Sequence, residues 1–582
     1  MKSAKTVLLK IQYSLLLLCI TVHSACATEP QTADLVLLDG KIISVDPQNQ
    51  IHQALAIRAG KIMAIGTNEE IRKYLSDNTH VRNLNGQSVV PGLFHTHSHA
   101  IGAARYELFQ KHVELTSVKQ VQDWLRAQQQ HVRPGEWIQV PRTDITRMKE
   151  RRHPTPAELD AACPNHPVAL NAARKWTLNT RAMEVSKIRQ EAKKQNSQIK
   201  VITDADGNPI LFAGADQLLR PFLPYSNFKT EQSTQLESLA RLLNVYSSLG
   251  FTSMFDRANN RSGYDMYRTL KHQNQLPIRV TVTFRKQMYK ADDVTRFVKQ
   301  LDLKPGDGDE WVKPGPLKIT LDGGIHWGNT YLSEPYGKKR IQFYQLDDPN
   351  YRGDVRYNQN QLADVFAAAH RAGWQMSCHV TGDGGMLHVL QALEKSHAIF
   401  PAKDKRFTLI HAYFPNREIL KLAKAYGVCV DTQIDLYYKD SDAIADIYGK
   451  DWAERFIGLK SWQAYGVPVS INGDHMIGFD PVTAMNSFDP FLHLYIAVTR
   501  KNKHGQIYGP EQKLSRIAAL KTLTIDAAKL SFDEQQLGSL EVGKKADLLV
   551  LDRDYLTCPA DEISDIKPAL TMVAGKVVYQ LQ

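Results

Sequence analysis

Long apolar runs are nearly absent from the 582 residues. The longest continuous one, Ser14 to Val22 (SLLLLCITV), falls well short of the ~20 residues that a membrane-spanning helix requires, so no integral span is expected once a leader is removed. Cysteine is also sparse, at six residues, of which Cys19 and Cys26 lie in the N-terminal segment. The remaining Cys163, Cys378, Cys429 and Cys558 are far apart, which excludes a zinc knuckle and a redox Cys-x-x-Cys pair, while export would permit disulfides. Cys378 and Cys429 fall inside apolar runs, where a buried free thiol is expected. There is no low-complexity tract and no fixed-period repeat. Acidic residues are the minority, 61 against 72 Lys and Arg, for a net charge of +11. The basic residues are scattered, with short clusters only at 338–340 and 501–503, so a solvated basic surface is expected and no nucleic-acid partner.

What is present is the composition of a globular chain, 43% hydrophobic and 23% charged, too long for one ordinary domain. Lys2, Lys5 and Lys10 precede the apolar run, and Ala25, Cys26 and Ala27 follow it as an Ala-x-Ala site. Residues 1–27 therefore read as a secretory signal peptide, with a periplasmic or secreted mature protein. Cys26 admits a second reading, a lipoprotein acceptor, against which His23 stands three places earlier. Short β-type runs separated by turns fill residues 28–92 and return at 536–582, which predicts one small β-sandwich built from both ends of the chain. Between them, residues 93–535 alternate apolar strand-like runs (LGFTSMFD, LPIRVTVTF, GPLKITLDGG, WQMSCHVTGD, RFTLIHAYF, GVCVDTQID, GVPVSINGD) with helical stretches such as QLADVFAAAHRAG. That alternation predicts an α/β fold, a (β/α)8 TIM barrel, with an insertion at about 105–235.

The chemistry-bearing residues cluster at predicted strand ends. In HTHSH, strand alternation is expected to bring His95, His97 and His99 to one face, and two imidazoles one residue apart can share a metal ion. A His-x-His is common in cores; its company singles this one out. Lys318 sits inside the apolar run PLKIT, where an ammonium without a partner is unfavourable. His379 ends WQMSCH, His411 ends FTLIH and Asp474 ends PVSINGD. Each alone also fits a hydrogen-bonded core residue or a turn former. Together they mark the carboxyl ends of five predicted strands, where barrel enzymes keep their active sites.

The segments ADLVLLDGKI, VVPGLFHTHSH, LKITLDGG, HVTGDGG, LIHA, GDH and GSLEVGKKADLLVLD resemble amidohydrolase superfamily signatures in their usual order. PGEWIQV, PTPAELDAACPNHPVAL, EPYG, AVTRKN and TIDAAKL are similar to the narrower amidohydrolase family 3 group, which includes N-substituted formamide deformylases. The resemblance implies one or two divalent ions, zinc foremost. His97, His99 and Asp474 would hold the more buried ion and His379 and His411 the second, with Lys318 either free or N6-carboxylated as a bridge. It implies Asp474 as general base in metal-assisted hydrolysis of a non-peptide carbon–nitrogen bond in a small molecule, and it makes a homodimer the expected assembly. His95 stands where the family pattern has Asp, as a hydrogen-bond donor behind a metal ligand or as a ligand in place of His99. Asp383, in the GDGG turn, is expected to orient a ligand or simply to form the turn. Arg174 stands where relatives often carry His, and either faces an anionic substrate or makes a surface ion pair. His326, Trp327 and Tyr331, just beyond the Lys318 strand, are candidate substrate contacts. Ester or lactone cleavage by the same site, and an idle extracytoplasmic binding protein, are the alternative readings. Retention of all six metal-type residues argues against the idle one.

Overall fold

The computed structural model describes residues 32–172, 175–401 and 403–582; the leader expected over 1–27 and the candidate Arg174 lie outside them. Eight parallel strands form the central sheet: β1 (Leu93–Ser98), β2 (Phe251–Asn259), β3 (Arg279–Arg285), β4 (Val312–Thr320), β5 (Met376–Val380), β6 (Thr408–His411), β7 (Cys429–Gln433) and β8 (Val469–Asn472). They lie side by side in chain order, and a bridge between Ser98 and His475 brings the end of β8 back to β1. The result is a nearly closed (β/α)8 barrel. Each of the seven apolar runs named above is one of its strands. β6, β7 and β8 are buried along their whole length, because helices cover the outer face and side chains fill the inner one.

Local sequence explains the helical layer. The helix Gln359–Arg371 begins with a reciprocal cap, in which the Asn358 side chain accepts from the Gln361 N–H and the Gln361 side chain accepts from the Asn358 N–H. Leu362, Val365, Phe366 and Ala369 recur at three and four and are buried against the barrel. Gly373, at φ +83°, turns the chain toward β5.

Two further sheets come from the ends of the chain. One joins Leu35–Leu38, Ala54–Arg58, Lys61–Gly66 and His80–Asn83; the other joins Lys41–Ile43, Ile51–His52 and Ser88–Pro91 to Leu548–Leu551, Pro568–Val573 and Lys576–Gln580. Leu37, Leu55 and Ile57 share one core with Leu548, Val550, Leu570 and Met572, so the small sandwich needs both ends of the chain. Its strand Ser88–Pro91 runs directly into β1 through Gly92, where any Cβ would meet the Thr252 side chain. That close approach fixes where the His97 strand enters the barrel.

An insertion separates β1 from β2. It carries a five-stranded sheet (Ile138–Val140, Val168–Asn171, Lys175–Leu178, Lys200–Thr203, Pro209–Ala213) with cores of its own around Leu159 and Trp176. Among the described residues, no helix is long and apolar enough to cross a membrane. Cys163, Cys378 and Cys429 are buried free thiols.

Candidate metal centre

The carboxyl ends of the strands converge on a cavity of about 200 Å³. Its wall contains His97, His99, Lys318, His379, His411 and Asp474, together with His326 and Trp327. Two of these residues have a left-handed backbone, His411 at φ +79° and Asp474 at φ +57°. Non-glycine residues adopt that region at a strain that clusters at functional sites.

Nε2 of His97 and Nε2 of His99 lie 3.4 and 3.2 Å from Oδ1 of Asp474. The three donor atoms are mutually within 4.8 Å. Nδ1 of His97 faces Oδ2 of the buried Asp431 at 3.1 Å, and because that carboxylate can only accept, the ring proton belongs on Nδ1. Nε2 is then left as a lone pair aimed at a carboxylate. Asp474 Oδ1 is buried and accepts no hydrogen bond of good geometry. The remaining neighbour of His97 Nε2 is Nζ of Lys318, at 3.3 Å.

The second pair repeats the pattern. His379 Nε2 donates to the Gly323 carbonyl at 2.7 Å, and His411 Nδ1 donates to Oε1 of Gln433 at 2.5 Å. The front atoms, His379 Nδ1 and His411 Nε2, then face one another at 2.7 Å as lone pairs. Two groups of nitrogen and oxygen atoms turned inward, with His97, His379 and His411 each backed by a hydrogen bond, are what a divalent cation requires, so the residues fit one.

Electrostatics keep the ligands in the binding form. Burial takes His97 and His379 well below the usual imidazole range, aided by Lys318 and His411, and it takes His411 to about 4. Neutral imidazole is the form that ligates. Burial alone would push the Asp474 carboxyl up; the close approach of His99, with His411 and Lys318, reverses that and holds it below its ordinary value. Burial pulls the Lys318 ammonium down to about 7, opposed by the Asp474 and Asp431 charges and assisted by Arg257 and Arg285.

Other expected contacts fall elsewhere. His95 does not share the face of His97: its ring packs against Tyr246 and Phe251 at 5.0 and 4.9 Å, and neither ring nitrogen has a hydrogen-bond partner. The pairing of β1 with β2 shifts register on both sides of Met254, which is the partner of His95, so simple alternation fails there. Asp383 accepts from the backbone N–H and hydroxyl of Ser333 and so tethers the loop after β4 rather than a ligand. The ring of Tyr331 faces His388 and does not line the cavity; only its backbone N–H reaches the site's surroundings, donating to Asp322. His326 does line the cavity and is held by Asp440 at 2.9 Å, and Trp327 lies under the Arg142 guanidinium.

Sequence reasoning missed the supports. Asp431 receives the Thr96 hydroxyl, the Asn472 amide and an ion pair from the fully buried Arg257 besides His97. Asp322 receives the N–H groups of Thr381, Gly382 and Tyr331, bracing the turn after His379. Both carried the signal that drew attention to Lys318, a charge within or beside an apolar strand run.

Barrel enzymes place their chemistry at the carboxyl ends of their strands, and the groups gathered there in this chain are those that hold divalent cations. Comparison with known proteins takes the assignment one step further. The chain belongs to the amidohydrolase family, whose profile matches residues 80–579. It is 24% identical to an N-substituted formamide deformylase of Arthrobacter pascens over 94% of this chain and 99% of that protein. It is likewise 24% identical to the putative amidohydrolase YtcJ of Bacillus subtilis, over 91% and 96% of the two chains. In fold it is similar to an uncharacterized metal-dependent hydrolase from Pyrococcus horikoshii OT3, with a TM-score of 0.65 and 19% identity over 90% of this chain and 99% of that one.

Proposed function

We propose that this protein is an exported metal-dependent hydrolase that cleaves the carbon–nitrogen bond of a non-peptide amide or formamide-like small molecule. The observation that carries the reading is the inward-facing set His97, His99 and Asp474, whose donor atoms lie within 4.8 Å of one another. Family membership and the full-length similarity to a formamide deformylase support the bond type. The leader sequence supports export.

A bound divalent cation, zinc foremost, supplies a lowered pKa to water and polarises a carbonyl oxygen. His97, His99 and Asp474 would hold one such ion, and His379 and His411 a second. Asp474, kept ionised by its histidine neighbours, takes the proton of the attacking water and returns it to the leaving amine. The Lys318 ammonium, brought down to about 7 by burial, could give up one proton and then add CO2 through Nζ with loss of a second, becoming a carbamate anion. The residue would then be an anionic oxygen ligand in place of a buried cation. Asp431 holds His97 in the ligating tautomer.

The test uses the purified full chain against a panel of N-formyl and N-acyl amines, with amine release as the readout. The wild type is expected to turn over at least part of the panel. Asp474→Asn should lose on the order of 10²–10⁴-fold in kcat while keeping its circular dichroism spectrum. A variant as active as the wild type would overturn the assignment.

A further inference from the structure

The cavity that holds the candidate centre also carries three guanidinium groups, Arg142, Arg285 and Arg356. They arrive from three separate parts of the chain. Arg142 follows the insertion strand Ile138–Val140, Arg285 ends β3, and Arg356 sits in the loop before the helix Gln359–Arg371. A guanidinium keeps its charge at any working pH. Arg285 is also the register partner of Lys318, so its guanidinium is carried on the strand next to the centre.

The carboxylates that line the same wall are fewer than its guanidinium groups. Those present are Asp322 and Asp474. The Asp322 oxygens are taken up by backbone N–H groups and the Thr381 hydroxyl. Asp474 is turned toward His97 and His99. Arg142 has a carboxylate of its own, Asp144 at 3.3 Å. Arg356, among the described residues, bonds through its guanidinium to the Thr320 carbonyl at 3.4 Å, with no carboxylate in ion-pair reach. A confined wall with an excess of one charge focuses its field on the ligand space, and any divalent ion held there adds to the excess.

We propose that the substrate is anionic: an amide bearing a carboxylate, such as an N-formyl or N-acyl amino acid, whose carboxylate is gripped by Arg356 and Arg285. This rests on the hydrolase reading above and names its substrate class. A carboxylate offers the planar two-oxygen edge that one guanidinium fork binds with two parallel hydrogen bonds. His326 and Trp327 also wall an adjoining chamber of about 100 Å³ lined by Ile145, Ile210, Leu211 and Phe343, room for an apolar substituent.

The test is a matched pair, N-formylphenylalanine and N-formylphenethylamine, which differ by the carboxylate alone. With the metal-loaded full chain, kcat/KM should favour the acid by about tenfold or more, the range of a charge-assisted hydrogen bond. Arg356→Gln should lower that preference on the order of 10- to 100-fold, mainly through KM. Arg356→Lys, which keeps the charge and loses the fork, should fall between. A wild type that handles the neutral amide as well as the acid overturns the proposal and leaves the hydrolase reading standing. If neither is cleaved, the hydrolase reading fails, and binding to the metal-stripped protein decides the proposal. Calorimetry should then show 3-phenylpropanoate bound at least about tenfold more tightly than 3-phenylpropanamide, with the difference lost in Arg356→Gln and in Arg285→Gln. Equal affinities overturn it.

Discussion

Replacing Asp431 with Asn changes one oxygen for a nitrogen and removes the negative charge around which the floor of the site is built. Four groups converge on that carboxylate: His97 Nδ1 at 3.1 Å, the Thr96 hydroxyl at 2.9 Å, the Asn472 amide at 2.6 Å and Arg257 Nη2 at 3.0 Å. Arg257 is fully buried, and among the described residues its guanidinium has, apart from Asp431, the Thr96 carbonyl and the face of Phe255. Asp431→Asn therefore leaves a buried cation without its counter-ion, which costs about 3–5 kcal/mol, a large share of the roughly 5–15 kcal/mol that holds a typical domain together. Urea unfolding of the metal-free protein should be run at pH 7.5, because burial raises the Asp431 carboxyl to about 6, with Arg257 and Thr96 opposing, and it must be ionised in the reference. The double variant Asp431→Asn with Arg257→Met removes both charges and should recover most of the loss. Divalent-metal affinity, measured separately, should fall about 10- to 100-fold in the single variant, since His97 loses the group that orients it. A single variant within about 1 kcal/mol of wild type, with no gain in the double, would refute the reasoning.

Three further outcomes follow from the same structure. Lys318→Ala should lose the CO2 adduct that native mass spectrometry is expected to find on the wild type in bicarbonate, and it should bind divalent metal more weakly; an adduct that persists in the variant would place it elsewhere. Acid unfolding should begin in the histidine range. Burial, with a smaller push from Lys405, lowers His370 to about 4, so the unfolded chain takes up its proton first as pH falls below the ordinary ~6.5. Stability from that neutral ring is fully present above about pH 6.5 and drops by about 2 kcal/mol between pH 6.5 and 5. His370→Phe should flatten the decline, and an unchanged pH slope would contradict the assignment. Tyr331→Phe should leave KM within about twofold, because its ring faces His388 outside the cavity; a tenfold change would return it to the substrate contacts.

The parts of the site that were legible in the sequence are those whose chemistry is odd for their surroundings. Lys318, His379 and His411 each interrupt or end an apolar run, and a buried strand tolerates such a group only for a reason. The barrel was legible for the same cause, since strands buried on both faces read as continuous apolar stretches. His95 misled because alternation presumes an unbroken ladder, and β1 shifts register against β2 at that point. Asp383 looked like a ligand's support from its nearness in sequence to His379, yet the first turn of the helix Asp383–Ile399 aims it at Ser333. Asp431 and Arg257 form a pair 174 positions apart on β7 and β2, and nothing local to either names the other. Arg356 sits in a loop that no periodicity marks. Its place in the cavity depends on how the segment after β4 folds back, with its N–H on the Leu321 carbonyl.

The central claim is that inward-facing imidazoles and a carboxylate hold a catalytic cation. Metal analysis joined to activity tests it most directly. The chain is purified, stripped with a chelator and reloaded with Zn²⁺, Mn²⁺ or Fe²⁺, while bound metal per chain and amine release are followed together. About one or two tightly held ions per chain are expected, with hydrolysis lost on stripping and regained on reloading, and neither recovered in His97→Ala with His99→Ala. Substantially less than one bound ion, or hydrolysis that survives complete stripping, would contradict it.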